Sequence, residues 1–341
     1  MGVKTLSPAY FAMVMATGIV SLAVEQIGLH VLAIALFVIA VSTYLLLWWL
    51  TILRLWKYRD RVFADMIDHM RGPGFFTMVA ASGVLGSEFL IVAQATTISM
   101  LLLTIAVVLW FGLTYTIFTA LTVKEEKPTL DKGISGAWLL AVVATQSISV
   151  LSAFLAVRVP QPYRIDLNFL SLSMWLGGGM LYIWMMSLIF YRYTFFKFAP
   201  SDLSPPYWIN MGAMAISTLA GSLLILNAND APLLESIVPF MKGFTIFFWA
   251  TGTWWIPMLI ILGIWRHIYM RFPLHYDPLY WGAVFPLGMY AVATFRMAQA
   301  LELPFLIPLT TFFSWVSLAV WGLTFYACIA SLLRRAPETT P

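Results

Sequence analysis

Long apolar runs dominate the chain and are interrupted by short polar segments that contain Pro, Gly or charged residues. A helix that crosses the hydrocarbon core of a bilayer needs about 17 to 25 predominantly apolar residues. Ten runs reach this length, at 8–24, 31–53, 74–93, 98–121, 134–156, 167–190, 208–226, 240–265, 278–301 and 306–333. The pattern predicts an all-α membrane protein with ten transmembrane helices. We expect a single domain over residues 1–341, with short cytoplasmic termini.

The composition agrees with a membrane protein. Hydrophobic residues make up 61% of the chain, charged residues make up 10%, and the mean hydropathy is +0.88. A soluble core cannot bury so much apolar surface, so the lipid bilayer is the first expected partner. The net charge of +4 is spread between the apolar runs instead of forming a patch, which argues against a nucleic-acid partner.

Lysine and arginine are distributed unevenly between alternate connections. Only Arg158, Arg164 and Lys242 lie in connections on one side, Arg296 lies inside a span, and every other basic residue lies on the opposite side. Cytoplasmic loops of membrane proteins carry the excess of Lys and Arg. The distribution predicts a multi-pass protein of the plasma or inner membrane with both termini in the cytoplasm. It also supports ten spans, because one span more or fewer would mix the two sets.

Odd-numbered and even-numbered spans differ in side-chain size. Most Trp residues lie in even spans, whereas odd spans contain small and polar runs such as 80–83 and 145–149. Small residues either let helices approach closely or line a hydrated path, and both interpretations stay open for a single run. Residues 10–18 resemble residues 75–83 and, more loosely, 138–146, which indicates a repeated helical hairpin. We therefore predict five parallel hairpins around a central pore, with odd helices inside and even helices outside.

The small and polar residues of the odd spans are the candidates for lining such a pore. They are Thr17, Gly18, Ser82, Gly83, Thr145, Gln146, Ser217, Gly221 and Gly288. Asn210 lies near the start of the seventh span and is interpreted as a helix cap.

Two ionisable residues, Glu88 and Arg296, lie inside odd spans. Such groups are costly in a membrane and usually face an interior or a cavity. Both are expected in the outer part of the bilayer, where Arg296 would attract anions at the pore mouth while Glu88 holds it or relays protons. The alternatives are a structural ion pair and snorkelling to the interface.

The ninth span contains Phe285 next to Pro286, with a glycine on either side within a few residues. Pro286 cannot donate a backbone hydrogen bond, which predicts a bend in the helix. A bent inner helix can swing Phe285 across a narrow path as a hydrophobic gate. The alternative is a phenylalanine that is simply packed.

No enzyme signature is found. The four histidines, at His30, His69, His267 and His275, lie in predicted loops or helix ends, which leaves no haem ligands within the membrane. Zinc-binding spacings, phosphate-binding loops and nucleophile elbows are missing, and Cys328 is the single cysteine. We expect a protein that is not an enzyme, without catalytic residues, metal or cofactor.

Three segments resemble a known family, at residues 8–18, 208–217 and 281–296. They are similar to the tellurite-resistance/dicarboxylate transporter family, which includes bacterial tellurite-resistance proteins, malate permeases, sulfite exporters and plant slow anion channels. The resemblance implies five helical hairpins, a pore lined by the odd helices and a pore-occluding phenylalanine that matches Phe285. It also implies a small anionic substrate and, for several members, a homotrimer.

The expected function is anion transport through a central pore gated by an aromatic residue, with a small inorganic anion or a C4-dicarboxylate as substrate. One alternative is a proton-coupled carrier for malate, sulfite or tellurite, and another is a membrane sensor or assembly subunit without transport. A carrier needs cations near the middle of the membrane. Only Arg296 is found, off centre, and this favours conduction with weak binding.

Overall fold

The computed structural model describes residues 3–334 of the chain. Ten long helices are present: α1 Phe11–Gln26, α2 His30–Met66, α3 Phe76–Ile91, α4 Thr96–Val123, α5 Leu140–Ala156, α6 Tyr163–Phe195, α7 Ile209–Leu226, α8 Val238–Ile264, α9 Trp281–Ala300 and α10 Ile307–Arg334. The described residues form no β-strand. The prediction of an all-helical protein with many candidate membrane spans is confirmed.

Nine of the ten helices in the described part of the chain are long and apolar enough to cross a membrane. The exception is α9, whose 20 residues include Pro286 and Arg296. Most of α9 is buried against protein, so this helix needs less apolar surface than a helix that faces lipid.

Several even helices continue past the predicted end of their apolar run. The longest, α2, has 37 residues and contains a kink at Tyr58, where φ is −140° and ψ is 38°. The apolar run predicts only residues 31–53 as a span. The helix continues to Met66 because backbone hydrogen bonds hold it together without a lipid environment.

The odd helices are the buried layer of the molecule. Four of them, α1, α3, α5 and α7, have 83% to 100% of their apolar windows buried, against 22% to 44% for the even helices. Each odd helix contacts two other odd helices, in the order α1, α3, α5, α7, α9 and back to α1. Each even helix packs on the odd helix that precedes it. We call this closed cycle of neighbours the inner ring.

Glycines let the inner helices approach closely. A Cβ atom added at Gly83 of α3 would lie 2.7 Å from the Cβ of Ser147 in α5. One added at Gly212 of α7 would lie 2.7 Å from the Cγ of Pro286 in α9. Such contacts are typical of membrane helices, whose association depends on close packing because lipid removes the hydrophobic drive between them.

At least one hydrogen bond from a Trp or Tyr side chain connects each even helix to the next odd helix of the inner ring, and one from each pair of helices makes a set of five. They are Tyr44 Oη to Ser82 Oγ at 2.7 Å, Trp110 Nε1 to Thr145 Oγ1 at 2.8 Å, Trp175 Nε1 to the Ser217 carbonyl at 2.8 Å, Trp249 Nε1 to Thr294 Oγ1 at 3.0 Å and Trp321 Nε1 to Thr17 Oγ1 at 2.9 Å. We call them the aromatic braces. The last brace joins α10 to α1. The aromatic braces therefore also connect the last long helix to the first.

Replacing Trp110 with Phe is expected to lower the free energy of unfolding by about 0.6 to 1.5 kcal/mol, the range for one hydrogen bond in a membrane protein. The loss is moderate because Thr145 Oγ1 still donates to the Ala141 carbonyl. Thermal unfolding in detergent measures the effect. Trp49→Phe is the matched control, since that indole is 61% exposed, and equal shifts for both variants would contradict a stabilising brace.

Candidate transport pathway

The first turns of all five odd helices meet at one cavity of about 350 Å³. Each odd helix is preceded by a 3₁₀ turn, and each turn contributes to the lining through Ala9, Gly74, Ala137, Pro206 and Leu279. We call this cavity the N-terminal vestibule. It lies at the end of the molecule that the distribution of Lys and Arg predicts to be cytoplasmic.

Local sequence explains why the odd helices begin in this way. Four of the five turns have proline in their first two positions, where the missing N–H costs nothing and the fixed φ favours a helix. Ser7, Ser135 and Asp277 accept hydrogen bonds from backbone N–H groups of their own turns. Each helix start carries partial positive charge, which favours a nearby anion by about 0.3 to 1 kcal/mol.

A second cavity, of about 10 Å³, lies deeper in the inner ring. This volume is about the minimum that holds one water molecule. Its lining includes Ile19 from α1, Gly83 from α3, Ser147 from α5, Ile216 from α7 and Met289 from α9. We call it the central cavity. All five odd helices therefore surround it, as they surround the N-terminal vestibule.

One face of α9 connects the two cavities. Gly282 lines the N-terminal vestibule and Met289 lines the central cavity. Phe285 follows Gly282 by three residues and precedes Met289 by four, a spacing that places all three on the same helix face. Phe285 is fully buried. Phe285 itself lines neither cavity, but it lies along α9 between the residue that lines the vestibule and the residue that lines the central cavity.

Pro286 lies inside α9, and the helix continues through it. Its ring is the group that a Cβ at Gly212 would meet. Proline removes one backbone hydrogen bond from the helix at this point. The turn that carries Phe285 is consequently held by fewer backbone bonds than its neighbours.

At the far end of the central cavity, Phe154 of α5 meets Arg296 of α9. Phe154 lines the cavity and is 9% exposed. The guanidinium carbon of Arg296 lies 5.7 Å from the centre of the Phe154 ring, a cation–π distance. Arg296 follows Met289 by seven residues, on the same helix face, and its Nη1 donates to Gln299 at 3.0 Å. Sequence reasoning missed Phe154, because nothing distinguishes one apolar residue within an apolar span.

Glu88 does not pair with Arg296. Its carboxyl is fully buried and forms no ion pair with a described Lys or Arg, and the hydroxyl of Ser21 in α1 is the donor that lies near it. It reaches from α3 to α1, since a Cβ at Gly18 would lie 2.5 Å from Glu88 Oε2. Arg296 instead contacts Phe154, Phe295 and Gln299. The ion-pair interpretation is wrong, because the two side chains leave their helices towards different neighbours.

Several predicted pore-lining residues face the outer helices, which corrects the prediction. The hydroxyls of Thr17, Ser82 and Thr145 belong to the aromatic braces. Ser217 is also braced, through its carbonyl, and its hydroxyl donates to the carbonyl of Ala213. Within a membrane, polar groups need partners inside the protein, and here the Trp and Tyr side chains of even helices provide them.

Gln146 and Gly221 also face outwards, as a further correction. Gln146 Nε2 donates to the carbonyl of Trp175 in α6 at 3.0 Å. A Cβ at Gly221 would lie 2.8 Å from the Trp175 ring and would meet the Thr245 hydroxyl. Both positions serve the contact between inner and outer helices.

The remaining three candidates lie within the inner ring. Gly83 lines the central cavity. Gly18 adjoins Glu88, and Gly288 approaches α1, where an added Cβ would lie 3.1 Å from Ile19 Cγ2. Gly18 therefore lies at the contact between α1 and α3, and Gly288 lies at the contact between α9 and α1.

These observations define a multi-pass, all-helical membrane protein whose five buried helices surround two cavities. Residues 5–329 match the model of the SLAC1 family, which is described as voltage-dependent anion channels. The chain belongs to this family. The resemblance to tellurite-resistance/dicarboxylate transporters is thereby confirmed.

Relatives carry names of the same kind. An uncharacterized membrane protein of Mycobacterium tuberculosis is 42% identical over 45% of this chain and 77% of its own length. An uncharacterized transporter of Methanocaldococcus jannaschii is 24% identical over 94% of this chain and 92% of its own. A protein of Trichophyton rubrum named as a sulfite efflux pump is 22% identical over 95% of this chain and 90% of its own. Together with the family, these names support anion transport in general and point to transporters, not enzymes.

Proposed function

We propose that this protein moves small anions across a cell membrane along the axis of the inner ring. The path runs from the N-terminal vestibule past Phe285 to the central cavity, and then past Phe154 to Arg296. The observation that carries the proposal is that all five odd helices line both cavities. Phe285 lies on the face of α9 that runs from one cavity to the other, and it is the residue that the family resemblance implies as the gate.

The ten helices form five parallel hairpins in this proposal, with odd helices inside. The closed cycle of contacts among odd helices supports a ring. Because their first turns all line the N-terminal vestibule, the five odd helices start at the same end of the molecule. The short connections from each odd helix to the next even helix, such as residues 27–29 after α1, suit hairpins. The whole chain then acts as one transport domain with both termini in the cytoplasm.

Anion preference arises at the two ends of the path. Five helix starts at the vestibule supply partial positive charge, worth about 0.3 to 1 kcal/mol each. Arg296 supplies a full positive charge at the other end. The apolar wall between them offers no strong binding site, which suits an ion that must leave as readily as it enters.

The substrate is a small inorganic anion or a C4-dicarboxylate. The central cavity, at about 10 Å³, favours the inorganic anion, since a dicarboxylate requires a much larger expansion of the ring. The relative named as a sulfite efflux pump makes sulfite the first anion to test.

A proton-coupled carrier is the second candidate, and Glu88 favours it. A carboxyl without a neighbouring cation is costly to bury as an anion, and such groups within membranes usually serve a function. Glu88 lies one residue beyond Ser87, which lines the central cavity. A proton carried by Glu88 in this place couples transport to a pH gradient.

Flux into proteoliposomes tests the proposal. Chloride, nitrate, sulfite and malate are compared with and without a pH gradient. We expect flux of at least one inorganic anion without a gradient. Flux that requires the gradient and saturates with malate supports the carrier, and absence of flux for every anion supports a sensor or assembly subunit.

Glu88→Gln separates the two transport mechanisms. We expect the variant to fold, since the amide has the size of the carboxyl and no charge, and to remove any dependence of flux on the pH gradient. Glu25→Gln is the matched control, because Glu25 lies at the end of α1 beside His30, outside the cavity. A gradient dependence that survives in Glu88→Gln would exclude Glu88 as the proton carrier.

Assembly as a homotrimer is carried over from the family resemblance. The exposed apolar side chains of the even helices, such as Trp49, Trp184 and Trp254, offer surface for lipid and for neighbouring copies. Native mass spectrometry of the protein released from lipid bilayers measures the number of copies, and a monomer at every protein-to-lipid ratio would contradict the trimer.

A further inference from the structure

A separate pocket of about 240 Å³ lies at the vestibule end of the molecule, between α8 and the turns that precede α7 and α9. We call it the interfacial pocket. It shares no lining residue with the N-terminal vestibule. It is therefore outside the proposed transport path.

The polar side chains of the interfacial pocket are mainly hydrogen-bond donors. Ser204, Trp208, Tyr280 and Arg266 contribute to its lining, and no Asp or Glu does. The Ser204, Trp208 and Tyr280 side chains make no hydrogen bond to another described residue. A pocket with several free donors, a cation and no carboxylate is complementary to an oxyanion.

Arg266 is held in a fixed position at this pocket. It lies in a π-helical turn, Trp265–Tyr269, at the end of α8. Its Nη1 donates to the Leu203 carbonyl, and its guanidinium carbon lies 4.5 Å from the centre of the Phe272 ring. Its Nε is buried and has no partner in the described part of the chain. A preorganised guanidinium with unused donors is the group that binds phosphate best in proteins.

The side of the pocket towards the membrane is apolar. Ile260, Ile261 and Ile264 of α8 are 48%, 65% and 50% exposed, as expected for side chains that contact acyl chains. Gly263 lines the pocket between them, and a Cβ placed there meets no atom within 4 Å. An open groove thus connects the cationic pocket to the lipid-facing surface.

The geometry points to the interfacial pocket as a binding site for the phosphate of an anionic phospholipid, with its acyl chains along α8. The interfacial pocket lies at the end of the molecule where anionic lipids are expected. The excess of Lys and Arg predicts this end to be cytoplasmic, and anionic lipids of the cytoplasmic leaflet attract basic residues. Trp208 at the pocket edge suits the same depth, because indole side chains favour the membrane interface. The site is independent of the transport function.

Thermal unfolding of the full chain in detergent tests the site, with phosphatidylglycerol, phosphatidylcholine or inorganic phosphate added. We expect phosphatidylglycerol alone to raise the Tm of the wild-type protein. Native mass spectrometry should show binding weakened about tenfold or more in Arg266→Gln, the effect of losing a charge-assisted hydrogen bond. Arg271→Gln is the matched control, an exposed cation nearby that does not line the pocket.

Gly263→Leu is the second variant, because it fills the groove from an open position and leaves Arg266 and its contacts in place. The gain in Tm from phosphatidylglycerol should disappear in both pocket variants and persist in Arg271→Gln. If phosphatidylglycerol still raises the Tm of Gly263→Leu, or of a folded Arg266→Gln variant, the proposed binding site is wrong. An equal gain from inorganic phosphate or from phosphatidylcholine overturns the assignment to an anionic lipid. None of these readouts depends on flux, so they stand apart from the outcome of the transport assay.

Discussion

Replacing Phe285 with Ala is expected to raise anion flux in proteoliposomes by about tenfold or more, since each 1.4 kcal/mol removed from a barrier multiplies a rate by ten. The Phe285 ring is fully buried. It belongs to the face of α9 on which Gly282 lines the N-terminal vestibule and Met289 lines the central cavity. Its removal joins the two cavities and replaces an apolar constriction with a wider path that water can enter. Stopped-flow fluorescence with an anion-sensitive dye measures the rate.

The control for this variant is Phe89→Ala. Phe89 lies on α3 and packs edge-to-face on Phe37 of α2, with ring centres 4.9 Å apart, so its loss removes an aromatic ring without widening the path. Truncating a buried phenylalanine costs about 3 to 5 kcal/mol of stability, and size-exclusion chromatography checks that both variants are folded. Flux that stays unchanged when Phe285 is replaced by Ala, in folded protein with Phe154 present and also with Phe154 replaced by Ala, removes the gate from the proposal.

Replacing Phe154 with Ala is expected to open the central cavity from the Arg296 end. A cysteine reporter detects the opening without any flux. Ser87 lines the central cavity and is 2% exposed, so Ser87→Cys in a Cys328→Ser background places the single thiol there. We expect an anionic thiosulfonate reagent, added on the Arg296 side, to react with this thiol about tenfold faster or more when Phe154 is Ala.

The two phenylalanines close the cavity in series in the proposed pathway. Flux is therefore expected to rise more in the Phe285→Ala, Phe154→Ala double variant than the two single variants predict, because each remaining ring limits the flux in the singles. Phe89→Ala in the reporter background is again the matched control. A reporter that reacts equally fast with and without the Phe154 ring would show that Phe154 does not close the cavity.

The sequence singled out Phe285 as a candidate gate and offered no signal for Phe154, and the difference has a physical cause. Phe285 lies beside a proline inside a helix, and both the local chemistry and the family resemblance single it out. Phe154 lies in an apolar stretch of α5 without any such signal. Its position depends on the register of α5 against α9, which brings it 5.7 Å from Arg296. Register between helices distant in the chain is a property of packing.

The polar residues of the odd helices illustrate the same limit. Their small size and their repeat along the chain predict an inner position, and the structure places Thr17, Ser82 and Thr145 in the buried layer. Hydropathy cannot tell which way a buried hydroxyl points. Trp321, Tyr44 and Trp110 decide it, because each offers a donor at the inner face of an even helix. These residues consequently hold the two layers together instead of lining the path.

By itself the sequence determined that this chain is an all-helical membrane protein of the SLAC1 family, where its helices lie and which of them are small-sided. These properties follow from the cost of exposing polar backbone and charge to lipid, which acts on each segment separately. Only the tertiary structure decided that Glu88 and Arg296 stay apart, that the hydroxyls of Thr17, Ser82 and Thr145 take part in the aromatic braces, and that Phe154 lines the central cavity beside Arg296. Those outcomes depend on helix rotation and register, which close packing among all five inner helices sets together.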